Sequence, residues 1–427
     1  MILIVTFSLL LLFIFLAIPV AAALGLLGVV LDESFSIMPL RRAIGDMMWE
    51  NSIEFLLVAV PMFVMLGEIM LRSDIAEKMY DAMAKWLSWL PGGLMHSNIG
   101  SSAIFAATSG SSVATAATVG TVAVPQIDKR GYHTPLFLGS LAAGGTLGIL
   151  IPPSVGLIIY GLLTNTSVPK LYLAGILPGL VLAGLYSLTI VLLCLANKGW
   201  GGEKIHISWS ERFASLPNLL QPLFIFIVVI GSIYAGWATP TESASLGVLA
   251  ALLLSWKNGK LTRDMLLKSF EGTMRTTAMI MLIILAAAFL NFVLAVIGLA
   301  AAFQSFIEGL GLSPFQVLLI IIAIYLVMGC FMESLSMLIT TTPIVVPVIV
   351  ALGYDPIWFG VVLMLLLETA LITPPIGLNL YVVQSIRKSG PIKDVINGAI
   401  PFVFAMFVMI GLVIAFPSMA LWLPSLL

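Results

Sequence analysis

The sequence predicts an all-α polytopic membrane protein, an inverted-topology repeat with two re-entrant helical hairpins and two transmembrane helices broken at Pro-Pro pairs. Three observations predict this class. Of the 427 residues, 60% are hydrophobic and 9% charged, against about 25% charged in an ordinary soluble domain. Residues 1–31, 134–169, 171–197, 213–241, 276–307 and 395–427 are charge-free, and each exceeds the roughly 20 apolar residues that cross the hydrocarbon core as a helix. Finally, Pro125–Pro153 and Pro347–Pro375 match at an offset of 222, which lays Pro125, Gly131, Tyr132, Phe137, Leu141, Pro152 and Pro153 on Pro347, Gly353, Tyr354, Phe359, Leu363, Pro374 and Pro375. Gly175-Ile-Leu-Pro178 and Gly398-Ala-Ile-Pro401 continue the match at offset 223.

The elements follow in chain order. Residues 1–31 lack a basic n-region and an Ala-x-Ala site, so they read as a retained span, or as two short helices split at Pro19, rather than as a cleaved leader. With the outer loop that follows, this makes a unit at residues 1–51. Lys and Arg cluster at 72–85, 129–130, 198–212, 257–275 and 387–393, and the positive-inside bias puts all five on the cytoplasmic side. Loops 32–50, 164–170, 236–242, 299–312 and 353–355 then face outward, with Lys170 as the exception.

On this sidedness the span near 54–71 runs inward and its counterpart near 276–298 runs outward. The polar-centred segments 94–127 and 313–351 leave and return to opposite faces, as two re-entrant hairpins. The broken helices 135–161 and 356–385 also cross in opposite senses, and an inverted repeat of this kind is a common plan among secondary transporters. The predicted organisation is a first repeat at 52–196, a linker loop with two spans at 197–256, and a second repeat at 257–427 ending in a span at 396–416. Residues 72–91 alternate Arg72, Asp74, Glu77, Lys78, Asp81 and Lys85 with Ile75, Met79, Ala82, Met83 and Trp86, the pattern of an amphipathic arm helix at the inner interface.

Polar residues concentrate in the hairpins and breaks. The first hairpin carries Thr108-Ser-Gly-Ser-Ser112, then Thr115, Thr118 and Thr121. Small hydroxyl residues and glycine permit a tight turn and supply neutral oxygens, and such a turn at membrane depth must be buried in protein or line a cavity; the same residues also serve close helix packing. The second hairpin has Gly329-Cys-Phe-Met-Glu-Ser-Leu-Ser336, which sets Ser334 opposite Ser112 and Glu333 opposite Ser111. A carboxyl at that depth is by default a functional candidate, the alternative being a protonated Glu333 bonded to the turn's backbone.

Each Pro-Pro pair removes two amide donors, so Ile151-Pro-Pro-Ser154 and Thr373-Pro-Pro-Ile376 break their helices. A break exposes carbonyls that suit a cation and amides that suit an anion. Gly144, Gly145, Thr146 and Gly148 loosen the first half-helix, while Glu368 either faces the site or pairs locally. Two symmetric sodium sites follow, one at each tip beside its own break, with an organic anion between the tips. Trp237-Ala-Thr-Pro-Thr-Glu242 reads as an interfacial turn and helix cap. Cys194 and Cys330 read as apolar packing, and His96, His133 and His206 lack metal-ligand spacing, so neither zinc nor haem is expected. A net charge of −1 gives no reason to expect nucleic acid.

With Gly-x-Leu-Ile-Pro-Pro-Ser at 148–154, the Ser/Gly/Thr hairpin at 108–118, Ala-Thr-Pro-Thr-Glu at 238–242 and Leu-Ile-Thr-Pro-Pro-Ile-Gly at 371–377, the chain resembles the large membrane (M) subunit of tripartite ATP-independent periplasmic (TRAP) transporters over nearly its whole length. The resemblance implies an ion-transporter-superfamily fold of elevator type, a multi-pass protein of the bacterial inner membrane and no enzymatic activity. It also implies sodium-driven import of an organic acid such as a C4-dicarboxylate or sialic acid, a periplasmic substrate-binding (P) protein and a small four-helix (Q) subunit, expected as a separate chain. Sodium is the coupling ion and no other cofactor is expected. Carried onto this sequence, one sodium neighbourhood is Thr108, Ser109, Gly110, Ser111, Ile151 and Pro152. The other is Gly329, Cys330, Glu333, Ser334, Thr373 and Gly377, and Ser112, Thr115, Ser154, Ser336 and Asn379 are candidates for the substrate. No Gly-x-x-x-x-Gly-Lys motif implies ATP. The rival readings are a stand-alone organic anion permease of the same superfamily and a membrane-embedded enzyme or structural subunit of a respiratory complex.

Overall fold

The computed structural model describes residues 2–16, 18–203, 207–299, 301–302, 305, 311–330, 332–375 and 377–427. His206 and most of the expected outer loop 299–312 lie outside the described residues. The N-terminal segment forms two helices, α1 (Ile2–Phe15) and α2 (Val20–Phe35), split at Pro19. Beyond the short α3 (Ile44–Ser52), α4 (Ala59–Arg72) gives way at Ser73 to the amphipathic arm α5 (Ile75–Leu87). The arm buries Ile75, Ala76, Met79, Tyr80 and Ala82, and its Tyr80 hydroxyl donates to Asn98 Oδ1 at 2.9 Å beneath the first hairpin.

That hairpin is α6 (Leu94–Ser109) and α7 (Ser112–Ala123), joined at Gly110-Ser111. A short α8 (Gln126–Arg130) leads into the first broken helix, which comprises α9 (Thr134–Gly145), α10 (Leu147–Leu150) and, beyond the Pro-Pro, α11 (Val155–Thr164). The long spans α12 (Val168–Ala196), α13 (Trp209–Tyr234), α14 (Pro240–Lys257) and α15 (Arg263–Val296) follow. The second repeat, which α15 opens, continues with α16 (Pro314–Gly329), α17 (Ser334–Ala351), α18 (Pro356–Ile372), α19 (Leu378–Arg387) and α20 (Ile392–Ala415). A short α21 (Ser418–Leu421) ends the helical order. The offset of 222 carries Thr134 and Leu150, the ends of α9–α10, onto Pro356 and Ile372, the ends of α18.

Local sequence sets the boundaries. Reciprocal capping boxes start α13 at Ser208/Glu211, α14 at Thr239/Glu242 and α16 at Ser313/Gln316, each satisfying two otherwise orphaned amides. The structural reading of the 237–242 turn therefore holds. Seven helices among the described residues are long and apolar enough to cross a membrane.

The two repeats interlock. A β-carbon on Gly398 of α20 would fall on the Pro135 carbonyl of α9, and one on Gly139 would fall on the Gly398 carbonyl. The first half of one broken helix thus packs backbone to backbone against the last span of the other repeat, as small residues allow in membranes.

Four of the basic clusters, 72–85, 129–130, 198–212 and 257–275, gather at one end of the fold. Lys260 pairs with Asp74 at 3.0 Å, the Glu203 amide donates to the Arg130 carbonyl at 3.0 Å, and Trp86 meets Phe213 edge-on. Expected outer loops meet at the other end, where the Tyr160, Tyr234 and Thr241 hydroxyls donate to the Pro356, Pro169 and Phe55 carbonyls. The charge pattern and the packing therefore divide the loops in the same way.

Candidate functional site at the hairpin tips and helix breaks

Each hairpin tip lies against its own helix break. A β-carbon on Gly110, whose φ is +59°, would stand 3.0 Å from the Pro153 carbonyl oxygen, and one on Gly148 would stand 2.6 Å from the Ser112 amide nitrogen. In the second repeat the Ser334 hydroxyl donates to the Leu367 carbonyl at 3.3 Å and the Cys330 thiol to the Pro374 carbonyl at 3.5 Å. Gly329 packs against Ala370 where a β-carbon would clash. Most residues named from the sequence are therefore brought together in two groups, Thr108–Thr115 with Ile151–Ser154, and Gly329, Cys330, Glu333, Ser334 and Ser336 with Thr373 and Gly377.

Several candidate hydroxyls serve the helices themselves. Thr108 donates to the Phe105 carbonyl at 2.8 Å, Thr115 to the Ser111 carbonyl at 2.7 Å and Thr373 to the Thr369 carbonyl at 2.6 Å. Ser109 and Thr115 share a hydrogen bond of 3.1 Å. Ser154 caps α11, accepting from the Leu157 amide at 3.3 Å. The two breaks also differ in exposure, for Pro152 and Pro153 are buried while Pro374 and Pro375 are exposed.

Ser111 and Glu333 do the same structural work despite their chemistry. Ser111 Oγ accepts from the Ala114 amide at 3.4 Å at the start of α7, and Glu333 Oε2 accepts from the Ser336 amide at 2.9 Å and its hydroxyl at 3.1 Å at the start of α17. A carboxylate is well suited to this position beside the helix's positive end.

Contacts across the repeats tie the two groups together. Ser112 Oγ donates to Glu368 Oε1 at 2.6 Å, and Asn379 Nδ2 donates to the Ala142 carbonyl at 3.1 Å. Thr146, the symmetry mate of Glu368, instead hydrogen-bonds the Tyr186 hydroxyl at 2.8 Å.

Between the tips lies a cavity of about 380 Å³, lined by Ser109–Ala114, Val155, Glu333–Leu335 and Leu371 and closed by α4 and α15. Helices α7, α11 and α17 begin at this wall, while α6 and α18 end there. Partly positive amide ends and partly negative carbonyl ends thus face one small space. Glu68 and Thr276 also line it, and Glu68 accepts from Arg72 at 2.6 Å. Sequence reasoning missed this pair; its signal was a lone carboxylate inside an apolar span with an arginine four residues on. Gly67 brings α4 against the first tip, where a β-carbon would lie 3.2 Å from the Ser109 carbonyl oxygen.

The family model of the DctM component of tripartite ATP-independent periplasmic transporters matches residues 7–419. The chain is 33% identical over 388 residues to the C4-dicarboxylate TRAP transporter large permease protein of Pseudomonas aeruginosa, covering 90% of both chains. It is 33% identical over 373 residues to the sialic acid TRAP transporter large permease protein of Vibrio cholerae, covering 87% of both. The crystal structure of the Alcanivorax borkumensis YdaH transporter shares the fold at a TM-score of 0.60 and 16% identity, over 97% of this chain and 99% of that one. An enzyme or respiratory subunit is not what these relatives are. By the family match along nearly all its length, the chain belongs to the DctM component family, the large permease subunits of TRAP transporters, and is a multi-pass protein of the bacterial inner membrane.

Proposed function

We propose that this subunit imports a small organic acid, a C4-dicarboxylate, sialic acid or a related compound, by sodium symport, and that the acid binds between the two hairpin tips. The observation that carries the reading is the cavity where the N-terminal ends of α7, α11 and α17 converge with the C-terminal ends of α6 and α18. An organic acid there is held by first-turn amides and by the Ser111 hydroxyl, whose hydrogen is not already donated among the described residues, with no buried arginine needed. Carbonyl ends beside each break, together with neutral hydroxyls, offer the hard oxygen ligands that sodium takes. Sodium bound at a tip closes it on its break and completes the anion site, which couples the two cargoes.

Movement of the hairpins and broken helices as one body against the remaining spans, an elevator, supplies alternating access. Gly67 permits the close passage of α4 over the first tip that this motion requires. Selectivity is shared with a periplasmic binding protein, and a small Q subunit completes the membrane complex.

The test uses proteoliposomes containing the large and small subunits with the purified binding protein. Uptake should require the binding protein. Uptake at the same rate without it would favour a stand-alone permease and overturn the tripartite reading.

A further inference from the structure

Behind the first hairpin tip, where the repeats cross, a carboxyl group is buried without a counter-charge. Glu368 has no exposed surface. Its Oε1 accepts from Ser112 at 2.6 Å, while its Oε2 is buried with no hydrogen-bond partner. None of the ion pairs among the described residues involves it. Asn379, equally buried, donates its amide nitrogen to the Ala142 carbonyl and leaves Oδ1 without a partner. Gly145 brings Asn379 close to Ser112, since a β-carbon there would lie 2.8 Å from Asn379 Nδ2 and 3.0 Å from the Ser112 carbonyl oxygen.

The side chains gathered around Ser112 therefore include a carboxylate oxygen and an amide oxygen, both acceptors and both orphaned. An isolated charge in such a place is costly unless a cation accompanies it. Orphaned acceptors drawn from a carboxylate and an amide, with a serine hydroxyl beside them, form a hard-oxygen set suited to a cation without d-electron preferences. Ser112 lines the cavity and also touches Glu368, so an ion entering with the substrate has a one-residue route inward. The symmetric position offers no equivalent, because Thr146 carries no charge and its hydroxyl is taken by Tyr186.

We propose that Glu368, with Asn379 and Ser112, binds a further sodium ion, separate from the two tip sites, at the crossing of the repeats. This rests on the sodium-coupled reading above. It adds a cation whose charge is met by a carboxylate with no exposed surface.

The experiment counts radioactive sodium bound at saturation to the detergent-purified large subunit together with its small subunit. Wild type is expected to bind one ion more than Glu368→Gln, which keeps an acceptor for Ser112 and so preserves packing. Asn379→Leu should lower the affinity of that same ion at least tenfold, and Glu368→Asp should retain it. Infrared spectroscopy in sodium should show no protonated-carboxyl band that Glu368→Gln removes. Equal counts in wild type and Glu368→Gln, or a protonated Glu368 in saturating sodium, overturn the proposal. Equal non-zero counts leave the tip sites standing, whereas no bound sodium in either protein overturns the sodium-coupled reading as well.

Discussion

Gly110 carries the sharpest consequence of the tip-against-break geometry. It sits at φ +59° between α6 and α7, and a β-carbon would stand 3.0 Å from the Pro153 carbonyl oxygen. Alanine at a left-handed position costs about 1–2 kcal/mol, and the tight contact with the break adds to that cost only when the tip is closed. If sodium binds the closed tip, an overpacking penalty of about 1–2 kcal/mol from that contact alone lowers apparent sodium affinity roughly 5- to 30-fold, since about 1.4 kcal/mol is a factor of ten. The assay is the sodium concentration for half-maximal uptake in proteoliposomes, for wild type, Gly110→Ala and Gly110→Asn. Asparagine tolerates the left-handed region better but carries the same β-carbon, so its deficit isolates the contact with Pro153. A sodium dependence unchanged in Gly110→Ala would refute the placement of the cation between tip and break.

Four further outcomes follow from the same structure. Ser111→Phe and Thr373→Phe should each abolish uptake while the subunits still co-purify; uptake at wild-type rate in either removes that residue from the site. Glu333→Ala should cost about 0.5–2 kcal/mol through loss of the cap on α17, read as a lower thermal unfolding midpoint, while Glu333→Gln keeps the acceptor oxygen and stays near wild type. Gly398→Ala places a methyl group on the Pro135 carbonyl and should destabilise the folded chain by about 1–3 kcal/mol; a midpoint equal to wild type would show that α9 and α20 are not packed backbone to backbone. Glu68→Gln removes the charge that balances Arg72 at the cavity wall, and the uncompensated guanidinium should alter half-saturation for an anionic substrate; an unchanged value would exclude the pair from the substrate's surroundings.

Much of this architecture was legible because it is written in local chemistry. Gly110 and the Pro-Pro pairs dictate a turn and two breaks through backbone geometry alone, and Thr239 and Glu242 spell their capping box three residues apart. The grouping of Lys260 with Asp74 follows the charge bias that the loops display in sequence. Contacts between repeats were not legible. Ser112 and Glu368 are separated by 256 residues, Asn379 and Ala142 by 237, and no local pattern announces how one repeat threads through the other. The sequence also made Ser111 and Glu333 look like unequal ligands, yet both cap the second arm of a hairpin, because any acceptor side chain can satisfy a first-turn amide. The inequality that survives is between Thr146 and Glu368, which find different partners.

On the proposed function, sodium and an organic acid occupy one closed tip assembly and move together. Simultaneous uptake of labelled sodium and labelled substrate into proteoliposomes, with the binding protein present, tests it directly. Each flux should require the other, and both should vanish in Ser111→Phe. Substrate uptake that continues at the same rate when sodium is replaced by choline would contradict it.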